Sequence, residues 1–191
     1  VEKVSNLPKV SVFIATSLDG FIARKDGKID WLEKANTTLP TGEDCGYQSF
    51  FESVDTLVMG RKTFETVLSF EAWPYGDKRA IVLSTQLKQV PPRLEETVSV
   101  FSCAPKTILE NLAAEGSRHI YLDGGRTIQS FLADNLVDEM TITTLPVLLG
   151  EGIPLFRKVM SDIALTHMKT HTYANGFVQS RYRIQKECLI L

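Results

Sequence analysis

Short apolar runs and helix-like runs alternate along most of this chain. At two junctions the change falls on glycine: "TLVMG" passes into "RKTFETVLSF" at Gly60, and "HIYLDGG" into "RTIQSFLADN" at Gly124 and Gly125. No other feature narrows the fold as much. A short apolar run followed at once by a helical one, repeated, implies a parallel sheet, because parallel neighbours need a crossover long enough to hold a helix. The expected strands are Val10–Leu18, Asp55–Gly60, Arg79–Thr85, Val98–Ser102, His119–Gly125 and Asp138–Gly150. The expected helices are Thr41–Val54, Arg61–Phe70, Ala104–Gly116 and Arg126–Asn135. A polar loop with Asp26-Gly27 and Trp31 fills the gap between the first strand and Thr41. After "IPLF" the pattern changes. Two alternating runs flank Ala174-Asn175-Gly176, and Asn-Gly in that position signals a hairpin. The chain therefore reads as α/β: a mostly parallel twisted sheet, helices on both faces, and a C-terminal antiparallel hairpin at its edge. No repeat or linker interrupts it, so one domain is expected.

Composition excludes some functions. The formal net charge is −2 over 191 residues, whereas a nucleic-acid surface carries a basic excess. No apolar run approaches the ~20 residues of a membrane helix, and "VEKVSNLP" lacks a signal-peptide core. Cys45, Cys103 and Cys188 are widely spaced and odd in number, which reads as reduced thiols. The expected setting is cytoplasmic, with a small-molecule substrate and neither nucleic acid nor membrane as partner. The ending "CLIL" fits the C-a-a-X prenylation pattern; its plain reading is an apolar chain end.

In open α/β sheets, ligands bind at the carboxyl ends of the strands. Three such ends carry suitable groups: "MGRKT", "LST" and "DGGRT". At Gly60 and at Gly124-Gly125 a helix follows directly. Its free N–H groups and positive dipole end favour an anion. Arg61, Lys62 and Arg126 add charge, and Ser84 and Thr85 add hydroxyls. Taken singly, each glycine is equally a plain turn. Other motifs fail. "GRKT" is not a Walker A loop, and "HMKTH" lacks the Glu of H-E-x-x-H. On a strand His167 and His171 share one face, and two histidines do not complete a metal site, so no metal is expected. Asp44 stands three residues after Thr41, the pattern of a capping box with Thr41 as N-cap.

The ordered set "ATSLDGFIA", "DCGYQSFF", "TLVMGRKTFE", "IVLST", "IYLDGGRTIQSFL" and "LPVLLGEGIPLF" resembles the dihydrofolate reductase superfamily. Within it, the set looks like the stand-alone proteins similar to the C-terminal reductase domain of the bacterial riboflavin-biosynthesis protein RibD. The resemblance runs from Val10 to Ile184. It implies a single reductase-like domain over residues 1–191 with a core of about 10–184, a dihydrofolate reductase-like fold, and NADPH as cofactor. Carried over motif by motif, it implies that Ala15 and Ile22 flank the nicotinamide and a mobile active-site loop. Gly60, Arg61, Lys62 and Thr63 would hold the pyrophosphate and ribose phosphate. Ser84 and Thr85 would meet the adenosine 2′-phosphate. Gly124, Gly125, Arg126 and Thr127 would cradle the pyrophosphate. The absence of an acid ending the third strand fits NADP rather than NAD. Asp44 lies the same distance before "MGR" as the substrate-binding acid of dihydrofolate reductase does before its equivalent. That makes it the expected catalytic residue, against the capping alternative.

The expected function is NADPH-dependent hydride transfer to a small heterocyclic or ribosylamine-type substrate. Two alternatives stay open: dihydrofolate reduction, and non-catalytic NADP(H) binding. "DCGYQSFF" looks more like the RibD-like group than true dihydrofolate reductases, which points away from folate. RibD-like relatives are commonly dimers, so a homodimer through the C-terminal strands is expected.

Overall fold

The computed structural model describes residues 6–157 and 159–186. The ending Cys188–Leu191 lies outside the described residues. Ten strands and five helices occur among the described residues. In chain order they are β1 (Lys9–Ser17), β2 (Phe21–Ala23), α1 (Asp30–Asn36), α2 (Tyr47–Ser53), β3 (Thr56–Gly60), α3 (Arg61–Leu68), β4 (Arg79–Leu83), β5 (Val98–Phe101), α4 (Pro105–Ala114), β6 (His119–Asp123), α5 (Gly125–Ala133), β7 (Glu139–Leu145), β8 (Ile153–Pro154), β9 (Leu165–Thr172) and β10 (Val178–Ile184).

Eight strands form one sheet in the order β5-β4-β3-β6-β1-β7-β10-β9. The pairs from β5 through β7 are parallel, and β10 runs antiparallel to both β7 and β9. Period-two alternation sends Val10, Val12 and Ile120 to one face, where they pack on Ile108, Ile128 and Phe131 of α4 and α5. It sends Leu57, Met59 and Tyr121 to the other, against Phe50 and Phe64 of α2 and α3. Side chains such as Phe64 and Phe131 are fully buried. Each contributes about 1.5–3 kcal/mol relative to exposure, counted from an extended unfolded chain. The mostly parallel sheet with helices on both faces and a terminal antiparallel hairpin is the expected architecture. No helix among the described residues is long and apolar enough to cross a membrane.

Four local expectations are corrected. The stretch around Trp31 is not all loop: Asp30–Asn36 form α1, which buries Trp31 and is tied back by Arg24 to Asp30 at 2.6 Å. Thr41 is not an N-cap. The α2 helix starts only at Tyr47, after a left-handed Gly46, and Asp44 itself accepts the bonds of the first turn. The strand expected to run to Gly150 stops at Leu145, because Pro146 has no N–H to continue the ladder. Finally, His167 and His171 do not share a face. A bulge leaves Met168 unpaired, so His167 lies opposite Tyr182 and His171 opposite Gln179, on alternate sides of β10. No group of three or more potential metal ligands occurs among the described residues.

Candidate functional site

The carboxyl ends of β4, β3, β6 and β1 lie side by side, since these strands are consecutive neighbours in the sheet. The two glycine junctions therefore meet. At the first, Gly60 ends β3 and α3 begins on Arg61. At the second, Gly124 takes φ 92° and α5 begins on Gly125. A positive φ of this kind suits glycine far better than any other residue.

The two corners interlock. A Cβ at Gly60 would lie 2.7 Å from Thr127 Oγ1, and one at Gly124 would run into Thr63 Oγ1. Each threonine at the start of one helix thus fills the space left bare by the glycine of the other corner. A Cβ at Gly125 would stand 2.9 Å from Ile22 Cδ1 and 3.4 Å from the Pro154 carbonyl. Gly60, Thr63, Gly124, Gly125, Thr127 and Ile22 are thereby brought into one cluster. Bare backbone, two helix N-termini and two threonine side chains make a cradle that suits a phosphate.

The charged members sit at its rim. Lys62 and Arg126 are exposed, while Arg61 pairs with Glu65 one turn along α3 at 2.6 Å. On the next strand outward, Ser84 Oγ accepts from the N–H groups of Gln86 and Leu87 at 3.0 and 2.9 Å, and Thr85 is exposed. On the inward side, Ala15 packs against a cluster of Trp31, Cys45, Leu145 and Phe177.

Asp44 occupies a different position from the cradle. Its carboxylate is exposed, and both oxygens are engaged by α2: Oδ1 accepts from Gly46 N–H at 2.8 Å and Oδ2 from Gln48 N–H at 2.7 Å.

A second acid escaped the sequence reading. Asp123 ends β6 immediately before Gly124, on the face of Tyr121. Its carboxyl is densely enclosed yet keeps some exposure, and the enclosure pushes its pKa up to about 6. The Gly124 N–H, donating to Oδ1 at 2.7 Å, acts the other way. No hydrogen bond engages Oδ2 among the described residues. Tyr47, Tyr75 and Tyr121 stand near this carboxyl, and the enclosure that raises its pKa also holds their phenols neutral. An acid this close to neutrality can give or take a proton under working conditions. The signal was visible as an aspartate closing an apolar strand, but it reads equally as the first residue of a turn.

The loop after β1 is pinned across the site. Asp19 accepts from Ser17 Oγ at 2.6 Å, from Gly150 N–H at 2.7 Å and from Leu149 N–H at 3.2 Å. Lys25 pairs with Glu151 at 2.5 Å, and β2 pairs with β8. Two loops that border the cradle are thus clasped together.

A sequence model of the RibD C-terminal domain matches residues 8–179. The chain is 34% identical over 177 residues to YwjB of Bacillus subtilis (strain 168), a protein itself uncharacterized, covering 91% of this chain and 97% of that one. It is similar to the crystal structure of a Shewanella sp. PV-4 protein provisionally named for riboflavin biosynthesis, with a TM-score of 0.87, 42% identity, and 93% and 99% of the two chains covered. The fold also matches Enterococcus faecalis dihydrofolate reductase, solved with NADP(H), at a TM-score of 0.65 and 18% identity over 93% and 97% of the chains. With its interlocked corners at the ends of β3 and β6, this chain belongs to the RibD C-terminal domain family.

Proposed function

We propose that the chain is an NADPH-dependent reductase acting on a small heterocyclic or ribosylamine-type substrate. The interlocked corners carry this reading. The glycines let the two corners close on each other, which brings two helix N-termini with unpaired N–H groups and the hydroxyls of Thr63 and Thr127 to one place, where a phosphate would be held. Gly60, Arg61, Lys62 and Thr63 would hold the pyrophosphate and the ribose phosphate that distinguishes NADPH from NADH, and Gly124, Gly125, Arg126 and Thr127 would cradle the pyrophosphate. Ser84 and Thr85, one strand outward, would meet the 2′-phosphate. Ala15 and Ile22, on the inward side, would border the nicotinamide. Adjacent strands lie about 4.8 Å apart, so the edge from β4 to β1 spans roughly 14 Å. Membership of a family whose structural relatives include reductases supports the same conclusion.

The bound cofactor supplies hydride. The protein must position the substrate and deliver a proton. Reduction of a C=N bond leaves a nitrogen that needs one. With its pKa pushed up to about 6, Asp123 keeps a protonated fraction near neutrality, on a carboxyl anchored through Oδ1 and without a hydrogen bond at Oδ2 among the described residues. It is the proton donor in this reading. Asp44 orients the substrate. A carboxylate accepts about four hydrogen bonds, and helix α2 takes two. The clasp through Asp19 would hold the β1–β2 loop, and with it Ile22, in place beside the cradle. The same reading takes the chain as a cytoplasmic homodimer joined through its C-terminal strands.

The commitment of Asp44 to α2 favours a second reading, a non-catalytic NADP(H)-binding protein. Tight NADPH binding without oxidation against a broad substrate panel would support that one, and a direct dihydrofolate assay separates folate reduction from both. Titration calorimetry tests the cofactor assignment. Arg61→Ala should weaken NADPH by about tenfold or more while changing NADH little, since a charge-assisted bond contributes about 1.5–3 kcal/mol. Equal losses for both cofactors would sink the assignment.

A further inference from the structure

Asp44 is followed by a strained corner. Cys45 takes φ 57° and Gly46 takes φ 78°. Glycine adopts that left-handed region freely, whereas cysteine holds it only where its surroundings fix the backbone. Two bonds fix it here. The Cys45 N–H donates to Glu43 Oε1 at 2.8 Å, and the Cys45 carbonyl accepts from Gln179 Nε2 at 2.9 Å. The first bond is local. The second arrives from β10, 134 positions along the chain. Gln179 is itself fully engaged. Its Nε2 also donates to Thr143 Oγ1 at 2.9 Å, and its Oε1 accepts from the Tyr173 hydroxyl at 3.4 Å. Turning the amide over would set Oε1 against the Cys45 carbonyl, acceptor against acceptor. Thr143 is buried and pairs with Ala15 across β1 and β7, while Gln179 pairs with Thr143 across β7 and β10. Ala15, Thr143 and Gln179 thus form one row across three strands. By period two that row shares the face of Phe13, which packs on Tyr47 and Phe50 of α2. The row starts at the carboxyl end of β1 and ends, through the Gln179 amide, at the loop that carries Asp44.

We propose that Gln179 is a positioning residue: it holds Cys45 in its left-handed conformation and so fixes Asp44 relative to Ala15, whose place beside the nicotinamide rests on the reductase reading. Gly46 and Gln48 donate to Asp44 while this corner keeps its shape. Released, Cys45 would return to the common regions of the backbone map, and the carboxylate would move with it. Helix α2 does not anchor the loop by burial, since it has seven residues and none of them is fully buried. The bond from β10 supplies what the helix lacks. An acid that orients a substrate must keep its distance from the cofactor, because a misplacement of about 1 Å costs on the order of 10²-fold in rate.

Amide hydrogen exchange of the whole chain tests this, because Gly46 and Gln48 give their N–H groups to Asp44. Gln179→Met keeps the length of the side chain and removes both donors. Those two amides should exchange about fivefold faster or more, while the β10 ladder amides and the melting temperature stay close to wild type. Thr143→Val keeps a branched side chain on β7 and frees the Gln179 amide, so it should quicken the same two amides by less. NADPH at saturation should slow both amides about fivefold or more in wild type but not in Gln179→Met, although calorimetry still finds it bound. A residue that only packs the sheet would instead loosen the ladder or lower the melting temperature, with Gly46 and Gln48 unmoved. Unchanged exchange at these amides in both variants would overturn the proposal. So would NADPH protection that is equal with and without Gln179, or absent from a wild type that binds NADPH. A wild type that binds no NADPH would count against the reductase reading alone, and the ligand-free exchange rates would still decide the role of Gln179.

Discussion

Asp123 closes a strand whose preceding three residues are buried, and its surroundings make it costly to ionise. An acid whose folded pKa lies above its ordinary value binds protons more tightly folded than unfolded. Its stabilising contribution is therefore complete below the ordinary value of 3.8 and is lost as pH rises through about 6. Above that, the ionised carboxylate weighs against the fold by on the order of 3 kcal/mol. Asp123→Asn should remove this cost while keeping an oxygen for the Gly124 N–H. The variant should melt higher than wild type at pH 8 and lose turnover by about 10²–10⁴-fold. For wild type, kcat/KM should fall as pH rises through about 6. A variant that melts lower at pH 8, or that turns over normally, would remove Asp123 from the chemistry. Asp44 teaches the converse lesson about what a sequence reveals. The sequence suggested a capping role from its place three residues after Thr41, and the resemblance a catalytic one from its distance before "MGR". It could not show that Gly46 breaks the backbone after Cys45, itself at φ 57°, and so moves the helix start past Thr41's reach.

Elements were legible where their reason for forming was local. The run "DTLVMG" is continuously apolar through Leu57, Val58 and Met59, buries both faces and ends on glycine, and β3 follows it closely. By contrast, α1 buries only Trp31 and is held by Arg24 and Asp30, a bond between residues six apart that no hydrophobic period announces. The bulge at Met168 is likewise set by pairing with β10, so the strand's own alternation misplaces its histidines. The clasp between the β1–β2 loop and the loop before β8 belongs to this class too. It depends on Asp19 reaching N–H groups about 130 positions away. Those bonds, with the Ser17 hydroxyl foremost, hold the Asp19 carboxyl below its ordinary pKa. The clasp is therefore intact through neutral pH and is released only as pH falls through that depressed value. Asp19→Ala should leave the central sheet folded, speed amide exchange at Leu149 and Gly150, and hasten NADPH release. Unchanged exchange at those two amides would show that β2 and β8 hold the loops without it.

At the scale of the whole molecule, the candidate cofactor site exists because of strand order. Gly60 and Gly124 are 64 positions apart in sequence yet adjacent in space, because β6 returns between β3 and β1 after β4 and β5 have been laid outward. Sequence identifies each corner but not their meeting. The interlock of Thr63 with Gly124, and of Thr127 with Gly60, appears only when β3 and β6 pair in register, Val58 beside Leu122 and Met59 beside Asp123. A ligand held by both corners therefore ties the β3–α3 and β6–α5 units together. Anything that binds only the folded state stabilises it by mass action, about 2.7 kcal/mol at one hundred times its Kd. NADPH at that level should raise the melting temperature by several degrees in a chain this long. Gly124→Ala separates cradle from scaffold. Its Cβ would press on Thr63 Oγ1 and force a left-handed backbone on alanine, so the variant should lose some stability without ligand. It should also lose most of the NADPH-induced shift, because Thr63, which already holds that space, is pushed aside and the two corners no longer close on the ligand. A second substitution, Thr63→Ser, removes only a methyl and should keep the shift. If Gly124→Ala retains the full NADPH shift, the phosphate does not lie on this backbone and the corners serve packing alone.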